Sequence, residues 1–214
     1  MTHVICTNIS GLDDLAYQKL YAGASRDRRE RADRYRNRED SLRCLIAEAL
    51  LRYVLRTKKY TLEKTQYGKP FIKDMPGFHF NLSHAGCWVV IAYGNGETGV
   101  DVEYIHRNTD KKAILNRFFC EEERCYVQKE SAYSLERFFE IWTGKESYIK
   151  YLGTGLRKDL RSFNVRSAEI QKYLHHTKLG EAYCLSLYTR EQGYSMQLLG
   201  PQQLLDWNSK EESV

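Results

Sequence analysis

The sequence predicts an α+β fold. Three observations carry this. Residues 41–56 repeat apolar side chains at helical spacing, residues 78–104 hold three short apolar runs, and the elements then follow one another irregularly. Irregular order disfavours a doubly wound parallel sheet, which needs strict strand–helix alternation.

Taken in order, His3–Ile9 reads as an opening strand. Leu12–Ala24 and Arg26–Arg34 read as helices. Ser41–Arg56 is the strongest helix, because Leu42, Leu45, Ala49 and Arg52, and also Ile46, Leu50 and Val54, recur at three- and four-residue intervals. Gly68-Lys69-Pro70 reads as a loop. Phe78–Leu82, Cys87–Tyr93 and Thr98–Tyr104 read as strands, the last two joined across an Asn95-Gly96 turn. Lys111–Phe119 and Glu121–Gln128 follow as helices. Ser134–Tyr151 is a long helix with Leu135, Phe138, Trp142, Lys145 and Ile149 along one side, and Gly153 is its stop signal. Phe163–Val165, Ala182–Thr189 and Tyr194–Leu199 close the chain as strands. A lobe boundary fits best near residues 95–105.

Composition removes several classes of function. The 214 residues, 42% hydrophobic, can bury a substantial core. No apolar run is long enough to cross a bilayer, so no membrane partner is expected. The start, Met1-Thr-His-Val-Ile-Cys, lacks a basic segment followed by an apolar one, so a cytoplasmic protein is expected. Six cysteines form no C-x-x-C pair, which argues for free thiols rather than zinc or disulfides. The net charge is +5, and eight arginines crowd between Arg26 and Arg43. Such a surface favours an anionic partner.

Four constellations could carry chemistry. On a strand, alternate residues share a face. Within Gly99-Val-Asp-Val-Glu103, Val100 and Val102 would therefore pack inward while Asp101 and Glu103 project together, their Cβ atoms about 6.5–7 Å apart. That pair suits Mg²⁺ completed by substrate phosphates, or a plain solvated strand face. In Trp142-Thr-Gly-Lys145-Glu146-Ser-Tyr-Ile-Lys150, Glu146 and Lys150 are one turn apart on a helix. A carboxylate between two lysines suits a metal-bound polyphosphate, or an ordinary surface ion pair. In Asn81-Leu-Ser83-His84, Ser83 and His84 could donate to a phosphate, act as a nucleophile pair, or simply build a turn. Arg28 to Arg43 could bind an anion or be a solvated helix laced with ion pairs. Lys69 is one more cation able to face a ligand, and Glu123 is either an isolated base or part of an acidic helix start.

The order of these motifs is more specific than any of them. Gly-Lys-Pro, Asn-Leu-Ser-His, Gly-Val-Asp-Val-Glu, Arg117-Phe-Phe with Glu123, Trp-Thr-Gly-Lys-Glu-Ser-Tyr-Ile-Lys and Gly153-Thr-Gly155-Leu occur in sequence. This resembles the surfactin-synthetase-activating (Sfp) type of 4′-phosphopantetheinyl transferase, from about Arg28 to about Val165. The resemblance implies a pseudo-twofold pair of similar α/β lobes, 1–100 and 101–214, with the active site between them. It implies transfer of the phosphopantetheine arm of coenzyme A to a serine of an apo acyl or peptidyl carrier protein, with adenosine 3′,5′-bisphosphate released, by a Mg²⁺-dependent monomer. Asp101, Glu103 and Glu146 match the metal ligands. Lys69 and Lys150 match phosphate-binding lysines, and Lys145 belongs to the same motif. Arg28, Arg31, Ser83 and His84 match contacts to the coenzyme A nucleotide. Arginine replaces the frequent lysine at 28 and 31, and Cys44 stands where some members carry threonine near the adenine. Glu123 is the expected base, with Glu146 the alternative, and Lys150 the group that offsets charge on the attacked phosphate. The rival functions are a Mg²⁺-dependent nuclease and a basic nucleic-acid-binding module.

Overall fold

The computed structural model describes residues 1–106 and 111–209. The chain runs β1 (Thr2–Asn8), α1 (Asp14–Gly23), α2 (Arg26–Ala32), α3 (Arg38–Leu55), β2 (Leu62–Lys64), β3 (Pro70–Ile72), β4 (His79–Ala85), β5 (Trp88–Gly94) and β6 (Thr98–Tyr104). After this come α4 (Lys111–Phe118), α5 (Glu121–Gln128), α6 (Ser134–Leu152), α7 (Ala168–Gln171), β7 (Leu174–Leu179), β8 (Tyr183–Thr189), β9 (Tyr194–Leu198) and α8 (Pro201–Ser209). The mixed α+β class matches the expectation. No helix among the described residues is long and apolar enough to cross a membrane.

Helix ends follow local chemistry. Asp13, Ser25 and Asn37 each turn a side-chain oxygen onto a first-turn amide of α1, α2 and α3, which satisfies donors the helix itself leaves open. The cap at Asn37 starts α3 three residues before the apolar periodicity does. Gly153 ends α6 as expected, with φ +65° and its amide on the Ile149 carbonyl at 2.9 Å.

Two sheets organise the molecule. The first has strand order β4-β5-β1-β9, and the second β6-β8-β7. A small hairpin pairs β2 with β3. Period-2 alternation divides β1 and β5 between two cores. In the first sheet Ile5, Val89 and Ile91 pack against Leu20, Leu45, Leu50 and Leu204 from α1, α3 and α8. Val4, Cys6, Val90 and Ala92 face the opposite way and meet Val100, Val102, Leu185 and Leu187 of the second sheet. A third cluster joins α6, through Phe138, Phe139 and Ile141, to Leu174 and Tyr188.

Several expectations need correction. Phe163–Val165 is not a strand. Its backbone is taken up by side chains, since the Phe163 carbonyl accepts from Lys145 and the Val165 amide donates to Glu123. Strand β7 escaped the sequence because His175, His176 and Lys178 break any apolar alternation, as an edge strand allows. Gly68 and Lys69 do lie in a loop, between two short strands, but Pro70 opens β3 rather than belonging to the loop. The chain's last strand also returns home: β9 pairs parallel to β1, and Leu199, Leu204 and Leu205 enter the first core.

Helix α6 approaches β6 very closely. A Cβ placed on Gly99 would lie 2.0 Å from the Ser147 carbonyl oxygen and 2.4 Å from the Tyr151 amide. Helix backbone therefore rests on strand backbone, which only glycine permits. Gly144, costly inside a helix, has a similar reason, because its missing Cβ would lie 3.1 Å from Leu174. Gly99→Ala should lower stability by about 3 kcal/mol, the upper range for overpacking, read as a shift in the urea midpoint. A midpoint unchanged from the parent would refute this packing.

Candidate active site

The site forms where β4, β6 and α6 meet. Strand β4 is one edge of the first sheet and β6 one edge of the second. No ladder joins them. Instead the Val100 amide donates to Asn81 Oδ1 at 2.9 Å, and the Val102 amide to Ser83 Oγ at 3.2 Å. Two side chains thus stand in for a neighbouring strand and satisfy an edge that would otherwise be open. The period-2 geometry that aims Asn81 and Ser83 at β6 turns Phe80 into the first core.

Lys150 completes the junction from α6. Its Nζ donates to Asp101 Oδ1 at 2.7 Å, Ser83 Oγ at 3.0 Å and the Val100 carbonyl at 3.1 Å. Ser83 Oγ also donates to Asp101 Oδ1 at 3.0 Å. Asp101 is buried, and its second oxygen, Oδ2, has no hydrogen-bond partner. A buried, unpartnered carboxylate oxygen is costly. Two more carboxylates stand near it. Burial first, and then the Asp101 charge, push Glu103 up to about 7, against the pull of Trp142 and Lys150. Glu146 is raised for the same two reasons, with Lys150 opposing. Three mutually repelling carboxylates and one orphaned oxygen fit a hard cation. Among the described residues, no three such groups are already drawn together at ligating distance.

A cavity of about 230 Å³ opens beside this cluster, lined by Tyr67, Lys69, Asn81, Glu146, Ile149 and Lys150. Lys69 reaches it from the β2–β3 turn, but its Nζ is engaged by Glu97 and by the Tyr151 carbonyl at 3.0 Å. His84 is solvent-accessible on β4. Partial desolvation, then the charges of Arg43 and Lys150, hold its imidazolium below the usual range. Neutral His84 still offers one N–H to an anion. Arg28 is half-buried on α2 with Nη1 3.7 Å from Cys44 Sγ, and Arg31, one turn on, is exposed. Among the described residues, no hydrogen bond links either arginine to the carboxylates.

Glu123 and Lys145 lie elsewhere. Both side chains are fully buried and form a 2.8 Å ion pair. Glu123 Oε2 also accepts the Cys120 amide at 3.0 Å, and Oε1 the Val165 amide at 2.9 Å. Lys145 Nζ further donates to the Leu160 and Phe163 carbonyls at 2.7 and 2.9 Å. Neither oxygen of Glu123 is free to take a proton from a substrate, and Lys145 has no charge to offer solvent. Desolvation lowers the Lys145 pKa and the Glu123 charge raises it. The pair ties α5 and residues 160–165 to α6, one position before Glu146.

Sequence reading gave Asn81 no role, although it both caps β6 and lines the cavity. The available signal was its even spacing from Ser83, which mirrors Asp101 and Glu103. Gly153 and Gly155, both at positive φ, line the same cavity, and their spacing was visible as Gly-Thr-Gly.

An acidic cluster beside Lys150, set where two sheets join and open to a cavity, is the candidate active site. The 4′-phosphopantetheinyl transferase superfamily model matches residues 97–209, and the 4′-phosphopantetheinyl transferase N-terminal model matches residues 15–95. The 4′-phosphopantetheinyl transferase ffp of Bacillus subtilis is 34% identical over 191 residues, covering 83% of this chain and 82% of the relative. The 4′-phosphopantetheinyl transferase Sfp of Bacillus subtilis strain 168 is 36% identical over 157 residues, with 70% and 69% covered. The 4′-phosphopantetheinyl transferase gsp of Aneurinibacillus migulanus is 31% identical over 214 residues, with 90% and 89% covered. The chain belongs to the 4′-phosphopantetheinyl transferase superfamily. It is an enzyme, and the resemblance read from its motifs holds. These likenesses give no support to a nuclease.

Two measurements follow. Glu123→Ala leaves Lys145 buried and uncompensated, so stability should fall by about 3–5 kcal/mol, with part of it regained in Glu123→Ala/Lys145→Met. A loss under about 1 kcal/mol would mean that the pair is not buried as described. Secondly, between its ordinary value of 4.5 and about 7, Glu103 holds a proton in the folded protein that the unfolded chain releases. Without divalent ions, stability should therefore fall as pH rises through that window and level off above it. Urea midpoints across this range should show the slope in the parent and a flatter profile in Glu103→Gln.

Proposed function

We propose that this chain transfers the phosphopantetheine arm of coenzyme A to a serine of an apo acyl or peptidyl carrier protein, at a Mg²⁺ site made by Asp101, Glu103 and Glu146. The observation that carries the metal assignment is the buried, unpartnered Oδ2 of Asp101 beside two carboxylates whose protons are hard to lose. When bound, Mg²⁺ would supply charge neutralisation at the pyrophosphate.

The remaining chemistry falls to the chain's own groups. Lys150 approaches from the Ser83 side and offsets charge on the attacked phosphate. His84 donates to the coenzyme A nucleotide, Ser83 exchanges Asp101 for it, and Arg28 and Arg31 serve its 3′-phosphate. Lys69 exchanges Glu97 for substrate phosphate. The carrier serine oxygen attacks the β-phosphorus, and the bond to adenosine 3′,5′-bisphosphate breaks. Glu146 takes the serine proton, because it is the carboxylate that lines the cavity. Glu123 is replaced in that role, since both of its oxygens are committed to Lys145 and backbone amides.

The reading extends to the whole chain. It treats 1–100 and 101–214 as the two lobes, with the site at their junction and the C-terminal strand and helix crossing back to the first. It takes the enzyme as a cytoplasmic monomer with neither membrane nor nucleic-acid partner.

The test is the intact mass of an apo carrier protein incubated with the enzyme, coenzyme A and Mg²⁺. The expected outcome is a gain of one phosphopantetheine, lost with EDTA. Asp101→Ala and Glu146→Gln should each slow transfer by at least about 100-fold while keeping the parent's unfolding midpoint within a few degrees. Near-normal turnover in either would overturn the assigned site.

A further inference from the structure

We propose that Tyr183 is a positioning residue whose hydroxyl clamps the β4–β5 turn, and through it holds Ser83 and His84 in place. The inference rests on the function proposed above, in which those two residues meet the coenzyme A nucleotide.

The turn is minimal. Ala85 pairs with Trp88, leaving Gly86 and Cys87 as a two-residue loop, with Gly86 at φ +48°. It belongs to the first sheet, but the group that grips it belongs to the second. Tyr183 opens β8 directly opposite Tyr104 of β6. Alternation puts it on the same face as Leu185 and Val102, turned toward the first sheet. Its Oη accepts the Cys87 amide at 3.2 Å and lies 3.4 Å from the Cys87 thiol.

The fit is close. A Cβ on Gly86 would lie 2.2 Å from Tyr183 Oη. The phenol is fixed by the Tyr104 ring, centroid to centroid 4.9 Å. From the opposite side Arg43, on α3, donates to the Gly86 carbonyl and pairs with Asp40. The turn thus has one clamp from each half of the molecule.

The place of this contact along the β4–β6 junction explains its purpose. Asn81 meets Val100, and Ser83 meets Val102, both reaching from the first sheet to the second. Beyond Ser83 no β4 side chain continues the series. Tyr183 reaches back the other way and closes it. Without that closure the end of β4 shifts beyond Ser83, its last tie to β6, and His84, between Ser83 and the turn, shifts with it. The hydroxyl does no chemistry itself; it fixes where the donors of β4 stand.

Tyr183→Phe removes only the hydroxyl. The KM for coenzyme A should rise about fivefold, the size of one lost hydrogen bond. The kcat and the KM for the carrier should stay within about twofold, and hydrogen exchange at the Cys87 amide should accelerate by a similar factor. Cys87→Ala keeps the amide and should leave the KM for coenzyme A unchanged. A lowered unfolding temperature with an unmoved KM for coenzyme A would mean a purely structural role and would overturn the proposal. So would an equal change in the carrier's KM, or a rise in KM with Cys87→Ala as large as with Tyr183→Phe. Absence of turnover in the parent enzyme would instead count against the transferase reading. The clasp would then stand or fall on Cys87 exchange alone, with unaltered exchange in the Phe variant refuting it.

Discussion

Everything at the site depends on how two sheet edges meet without forming a ladder. An edge strand presents a row of amides and carbonyls that need partners. Here Asn81 and Ser83 supply two acceptors to β6, and Lys150 supplies a donor to the Val100 carbonyl. A true ladder would have packed the strands about 4.8 Å apart and left no space for side chains. A side-chain seam holds the edges further apart and keeps polar groups between them. Asp101 reaches this seam, bonded to Ser83 and Lys150.

That seam exists because α6 lies directly on β6. Gly99 lets Ser147 and Tyr151 of the helix touch strand backbone. Lys150, between those two residues, is then aimed along the seam toward Asp101. The same contact places Glu146 one turn earlier, facing the cavity. Buried charge is divided cleanly by this geometry. Glu123 and Lys145 neutralise one another inside the α5–α6 junction and hold the helix. Asp101, Glu103 and Glu146 have one lysine among three carboxylates, and that surplus of negative charge is the ground for the proposed cation. A site built from residual charge needs its neighbours to be rigid, and the clamps on the β4–β5 turn serve that requirement.

Much of this was legible beforehand. Spacing of two within Asp101-Val-Glu103 put both carboxylates on one face, and Val100 and Val102 do pack into the core between the sheets. Spacing of four put Lys150 one turn from Glu146. Gly153 ended the helix, and the ordered motifs pointed to the right family. The errors share a cause. Phe163–Val165 looked like a strand because local apolar content does not say which side chains will claim its backbone. Strand β7 looked like nothing because an edge tolerates His175, His176 and Lys178.

Local spacing therefore determined which residues share a face, since strand and helix periods are fixed by backbone sterics, and the order of the motifs along the chain carried the resemblance to the family. Only the tertiary structure decided which of the charged groups meet. Lys145 and Glu146 are adjacent in sequence, yet one is sealed against Glu123 and the other opens on a cavity, because a helix turns about 100° per residue and sends neighbours to different surroundings. Nor could spacing reveal that Tyr183, ninety-six residues from Cys87, would hold the turn beside His84. Such contacts follow from the relative placement of two sheets, which is set by the packing of the whole core rather than by any segment.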